Sequence, residues 1–168
     1  MYKRQDKDRV NFPQEAGLGI SFARYKNSAG YCSLAVLLRV NDDAEVGLIK
    51  IFCVVDVGEV VDISGVRSQV EGGIIQAASW SLYEQVSYDA TGITSRDWDN
   101  YQIISFNNIP EFCIDILDRP GSPYLGVGEI TTGPTAAAIA NAINNAVGLR
   151  LRQMPFNSEA IKSAALLD

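Results

Sequence analysis

The chain has 168 residues, a net charge of −6, and 47% hydrophobic against 20% charged residues. This suits a single globular domain, or one compact piece of a larger one, with a real core. The negative charge argues against a phosphate-tracking surface, so no nucleic-acid partner is expected, and the absence of histidine removes Ser-His-Asp and Cys-His catalysis and every histidine-based metal site.

Residues 1–16 are polar, contain Pro13 and lack the apolar core of a signal peptide, so they read as a flexible N-terminal segment before a domain spanning 17–168. Gly17–Tyr25 reads as a strand, Lys26–Gly30 as a turn, and Tyr31–Val40 as a second strand closing a hairpin. After Asn41-Asp42-Asp43, the β-branched run Val46–Val57 reads as a third strand. Short turns between the three imply an antiparallel meander. Cys32, Cys53 and Cys113 lie far apart, each in an apolar strand-like run, so buried free thiols and a reducing compartment are expected rather than a zinc or iron–sulfur site.

The period then changes. Val66, Val70, Ile74, Ala78 and Leu82 recur every four residues, which predicts a helix from Ile63 to about Gln85 with Asp62 or Ser64 as its cap. Its other face carries Gln69, Gly72, Gly73, Gln76 and Trp80. Paired glycines inside a helix cost about 1 kcal/mol each relative to alanine. Either a closely packed neighbour or a ligand accounts for them. A short hairpin is expected at Ser87–Ser95, irregular chain at Arg96–Asn108, and a further strand at Glu111–Leu117.

The Pro/Gly loop Asp118–Tyr124 leads to Gly126-Val127-Gly128-Glu129, and then to a helix over Pro134–Val147. Proline suits the first turn of a helix, and the alanines after it favour helix while leaving little bulk, so neighbours can approach closely. A carboxylate between glycines and just ahead of a buried helix is either an ordinary solvated glutamate or a positioned base. Asn157 or Ser158 caps a last short helix ending near Leu167. The order of elements indicates an α+β domain with a mixed or antiparallel sheet and both main helices on one face. No run is apolar and long enough to span a bilayer.

Three stretches carry a family resemblance: GLGISFARYKNSAGYCSLAV, VVDVGEVVDISGVRSQVEGGIIQAASWSLYEQ, and SRDWDNYQIISFNNIPEFCIDILDRPGSPYLGVGE followed by GPTAAAIANAI. Together they resemble the C-terminal part of the molybdopterin-binding subunit of the xanthine dehydrogenase/aldehyde oxidase family, the molybdenum hydroxylases, and most of all the isoquinoline 1-oxidoreductase type. The likeness covers Gly17 to Phe156. Q-x-E-G-G followed by G-x-G-E is more specific than either motif alone.

The resemblance implies that Glu129 matches the active-site glutamate beside the molybdenum, a general base for the oxygen that attacks the substrate carbon. A desolvating pocket would suit such a base. It implies that Gln69 matches a glutamine near the metal's ligand sphere, and that Gly72, Gly73, Gly126 and Gly128 allow close approach of the cofactor or of an adjoining segment. No metal-ligating residue of the chain itself is implied. The family's subunit is several times longer, and its earlier pterin-holding domains have no counterpart here.

Oxidoreductase activity toward N-heterocycles or aldehydes, with water as the oxygen source, is therefore expected only in assembly with a larger molybdopterin-binding subunit and an iron–sulfur subunit in the cytoplasm. Molybdopterin is expected in that complex and not on the isolated chain. The alternative is a non-catalytic structural or interaction domain that self-associates as a homo-oligomer. A small-ligand binder using the vacated groove is a weaker third.

Overall fold

The structure is a computed structural model that describes residues 16–166. The expected flexible segment falls outside the described residues up to position 15, and Ala16 already opens the first strand. Strands β1 (Ala16–Arg24), β2 (Tyr31–Val40) and β3 (Val46–Asp56) form the antiparallel meander. Helix α1 (Ile63–Leu82), the two-residue strands β4 (Tyr88–Asp89) and β5 (Gly92–Ile93), and strand β6 (Glu111–Leu117) follow. Helices α2 (Thr132–Val147) and α3 (Ser158–Ala165) complete the order. β6 pairs parallel with β3, so the main sheet is mixed, in the order β1-β2-β3-β6. The architecture is α+β, as expected.

Period-two alternation decides what lies inside. Cys32, Leu34, Val36, Ile51, Cys53, Val55 and Ile114 point to one face and are buried with Val70, Ile74 and Ala78 of α1 and Ala138, Ile139, Ala142 and Ile143 of α2. Both main helices thus cover the same face. Asp62 caps α1 by accepting the Ser64 N–H at 3.0 Å, and Asn157 caps α3 by accepting the Ala160 N–H at 2.9 Å. α2 ends at Gly148, whose φ of 78° is the left-handed stop. None of the helices among the described residues is long and apolar enough to cross a membrane.

β1 is an edge strand, and α2 lies directly on it. A Cβ on Gly19 would sit 2.0 Å from the Ala138 carbonyl oxygen and 2.2 Å from the Ala142 nitrogen, and one on Gly17 would sit 2.0 Å from the Ala142 carbonyl oxygen. Two glycines on one face of a strand therefore meet a small-residue stripe at i and i+4 of the helix. At that separation, Asn145 accepts the Leu18 N–H at 2.9 Å and Asn141 donates to the Ile20 carbonyl at 3.0 Å. These are outward-pointing groups that an open edge leaves unpaired.

Two expectations are corrected. Cys113 is exposed, whereas Cys32 and Cys53 are buried as expected. The register places Cys113 beside Phe52 on the uncovered face of the sheet, at the edge strand β6. α1 ends at Leu82 rather than near Gln85.

Candidate functional site

The site is organised by a turn at the end of β3. Asp56 accepts the Gly58 N–H at 3.1 Å through Oδ1 and pairs with Arg119 at 2.7 Å through Oδ2. Gly58 takes φ +76°, and a Cβ there would lie 2.0 Å from the Pro123 carbonyl oxygen, so only glycine lets the 118–125 loop close over it. Backbone bonds from Arg119 N to Gly58 O (3.1 Å) and from Leu125 N to Val57 O (2.9 Å) pin both ends of that loop. The chain therefore reaches Gly126 from a fixed direction.

Glu129 follows, exposed, immediately before two residues with almost no exposure, Ile130 and Thr131. Its carbonyl accepts the Thr132 hydroxyl at 2.9 Å, which ties its backbone to the start of α2. Its side chain accepts a short hydrogen bond from the Tyr25 hydroxyl. Tyr25 lies in a 3-10 turn, Tyr25–Asn27, at the end of the β1–β2 hairpin. That hairpin end abuts the same loop: a Cβ on Gly30 would lie 3.0 Å from the Gly126 carbonyl oxygen.

α1 supplies the third side. Gln69, Gly72 and Gly73 stand at i, i+3 and i+4, hence on one face. Gly73 is buried, and a Cβ there would lie 2.4 Å from Thr131 Oγ1. Gly72 is exposed, and its Cβ would meet nothing within 4 Å. The adjacent glycines thus divide the two explanations that the sequence left open. Gly73 is explained by a packed neighbour, and Gly72 is not. Gly126, with φ +75°, and Gly128 also face open space. Gln69 is exposed on the same helix.

The pre-α2 loop thus meets the hairpin end at Gly30 and α1 at Gly73, with Glu129 exposed on that loop and Gln69 exposed on α1. Glu129 is exposed, so the described residues do not form the desolvating pocket that would suit a base. Sequence reasoning missed Tyr25, Thr131 and the Asp56–Arg119 pair. Only the Asp56-x-Gly58 turn had a local signal. Tyr25 and Thr131 depend on contacts between segments far apart in the chain.

A family model described as a molybdopterin cofactor-binding domain matches residues 2–110. The chain belongs to that family. This molybdopterin cofactor-binding domain is 37% identical over 155 residues to a nicotinate dehydrogenase subunit of Pseudomonas putida, a match covering 88% of the chain and 13% of that protein. It is 27% identical over 139 residues to the beta chain of the isoquinoline 1-oxidoreductase of Brevundimonas diminuta, covering 82% of the chain and 17% of that protein. Among solved structures, the aldehyde oxidoreductase of Desulfovibrio desulfuricans superposes with a TM-score of 0.72 at 28% identity, over 80% of this chain and 15% of that one. Quinoline 2-oxidoreductase of Pseudomonas putida 86 shares the fold, with a TM-score of 0.76 at 24% identity over 82% of this chain and 19% of that one. The domain thus spans less than a fifth of the length of these four proteins.

Gly72, Gly126 and Gly128 have open space where side chains would stand, and Gln69 carries an exposed amide, so the backbone at these positions is accessible to a bulky cofactor. No cluster of three or more Cys, Asp or Glu side chains able to hold a metal ion occurs among the described residues.

Proposed function

We propose that this domain forms one wall of a molybdenum hydroxylase active site and presents Glu129 as its general base. The observation that supports this best is the position of Glu129. It is exposed on a loop whose backbone is tied to the start of α2, in the same short stretch as the open glycines 126 and 128. The molybdenum cofactor, when bound, supplies the centre that accepts two electrons. Glu129 accepts a proton from the water-derived oxygen that replaces a hydrogen on the substrate carbon. The overall change is substrate C–H plus water to C–OH, with two protons and two electrons released. Gln69 offers a neutral amide that both donates and accepts hydrogen bonds without adding charge. Gly72, Gly126 and Gly128 hold the backbone open to the cofactor, and Gly73 seats α1 against Thr131.

The substrate class is an N-heterocycle or an aldehyde, in keeping with the names of the relatives. The chain is inactive alone in this reading. A larger molybdopterin-binding subunit holds the cofactor, and an iron–sulfur subunit carries the electrons away. The odd number and wide spacing of the cysteines favour a reducing, cytoplasmic setting in this reading.

The test is to tag the chain in its native cells, purify it gently, and measure molybdenum per chain together with any large partner. Near-stoichiometric metal with a partner is expected. Glu129→Gln then abolishes turnover while leaving assembly intact; retained turnover would sink the assignment.

One observation favours a second reading, a self-associating domain without catalysis. The uncovered face of the sheet is apolar, with Ile20 63% and Phe22 67% exposed, and with Val54 and Leu117 also open. Together with Tyr31 and Arg119, Phe22, Val54 and Leu117 line a cleft of about 460 Å³. Such a face finds a partner. A homo-oligomer that carries no metal and leaves no large partner bound supports this reading over the first.

A further inference from the structure

We propose that Tyr25 is a positioning residue for Glu129: its hydroxyl donates to Glu129 Oε2 and fixes the direction in which that carboxylate points. The inference rests on the reading of Glu129 as the base. An exposed glutamate otherwise samples many rotamers, and proton transfer demands a narrow geometry between base and reacting atom. The hydrogen bond supplies that constraint from a segment 104 residues away in the chain.

The segment that carries Tyr25 is held in an unusual conformation. Lys26 and Asn27 take φ values of 50° and 58°, two successive non-glycine residues in the left-handed region. Such residues persist only where the surroundings hold them there. Here the Tyr25 N–H donates to the Gly30 carbonyl at 3.0 Å, the Ala29 N–H donates to the Tyr25 carbonyl at 2.9 Å, and Arg24 Nε donates to the Ala29 carbonyl at 3.3 Å. Gly30 packs against the Gly126 carbonyl and Ile130 on the far side. The turn is thus braced internally and against the loop that carries Glu129. Both ends of the Tyr25–Glu129 bond are fixed to the same packed surface.

The charged groups that act on Tyr25 are Glu129 and Lys26, whose Nζ lies 5.1 Å from the tyrosine ring centre. The bond to Glu129, followed by burial and the carboxylate charge, raises the Tyr25 pKa above its ordinary value, while Lys26 pulls the other way. Because the folded-state value is the raised one, the stabilisation is complete below the ordinary tyrosine value of about 10 and is lost as pH rises through the folded-state value.

The first test uses the full chain. An ultraviolet difference titration of wild type against Tyr25→Phe isolates this phenol from the other tyrosines. Tyr25 is expected to ionise above the ordinary value, and to return toward it in Glu129→Ala. Ionisation at the ordinary value in wild type, or no response to Glu129→Ala, overturns the contact.

The second test uses the molybdenum-loaded enzyme assembled in native cells. Tyr25→Phe is expected to lower kcat by about tenfold with KM changed less than about twofold, the pattern of a misplaced catalytic group. 3-Fluorotyrosine at position 25 keeps the hydroxyl and restores kcat, which separates loss of the hydrogen bond from a folding defect. If Glu129→Gln abolishes turnover while Tyr25→Phe leaves kcat unchanged, the positioning role falls and the base stands. If Glu129→Gln keeps its turnover, the base falls, and the positioning role with it.

Discussion

Replacing each of the adjacent glycines of α1 with alanine gives opposite outcomes that the geometry fixes. At Gly72 a Cβ meets nothing within 4 Å, so alanine brings only its higher helix propensity, a stabilisation of up to about 1 kcal/mol. At Gly73 the same propensity gain applies, but the new Cβ stands 2.4 Å from Thr131 Oγ1. Ordinary contact begins near 3.4 Å, so something must move by about 1 Å (3.4 − 2.4). Thr131 cannot swing into solvent, because it is fully buried and its carbonyl accepts both the Thr135 N–H at 3.0 Å and the Thr135 hydroxyl at 2.7 Å. Overpacking of this kind costs about 1–3 kcal/mol. The propensity terms cancel in the comparison, so Gly73→Ala should be less stable than Gly72→Ala by about 1–3 kcal/mol. In a domain of this size that separates the melting temperatures by about 2–12 °C. Urea and thermal unfolding of both variants measure it. Adding Thr131→Ala to Gly73→Ala removes the clashing atom, so a double-mutant cycle should show favourable coupling. Equal stability of the two glycine variants, or no coupling, would refute the packing argument. The same pair also separates structure from function. Gly72→Ala should fold at least as well as wild type and, in the assembled enzyme, weaken cofactor retention.

Gly19→Ala should be far more damaging, because its Cβ would fall 2.0 Å and 2.2 Å from backbone atoms of α2 rather than from a side chain. A loss of at least about 3 kcal/mol is expected by denaturant unfolding, and a near-native midpoint would show that β1 and α2 can separate cheaply. Cys113 should react quickly and alone with a thiol reagent under native conditions, since it is exposed while Cys32 and Cys53 are buried. The Cys53 thiol is pushed up by its hydrogen bond with Cys32 and by burial, which keeps it protonated and unreactive. More than one fast thiol per folded chain would contradict this packing.

Sequence and structure divide the account along a physical line. Local rules wrote the elements. β-branched alternation set the three meander strands, the four-residue spacing from Val66 to Leu82 set α1, and Asp62, Asn157 and Gly148 set helix ends. These signals depend on neighbours within a turn or two of chain, so a sequence carries them. The GVGE stretch and the Gln69–Gly73 face were also visible as residue types, and the family resemblance gave them their suggested roles.

What the sequence did not carry is which of these residues meet. Alternation placed Cys113 on a strand but could not say that its face of the sheet stays open. Two adjacent glycines looked equivalent until the Gly128–Thr131 turn was found against one and nothing against the other. Tyr25 had no local mark at all. Its role depends on a hairpin end and a pre-helix loop meeting across 104 residues of sequence. Periodicity and capping are short-range and so were determined by the sequence itself. Close approach, exposure and the hydrogen bond on Glu129 are set by the packing of distant segments, and only the tertiary structure decided them.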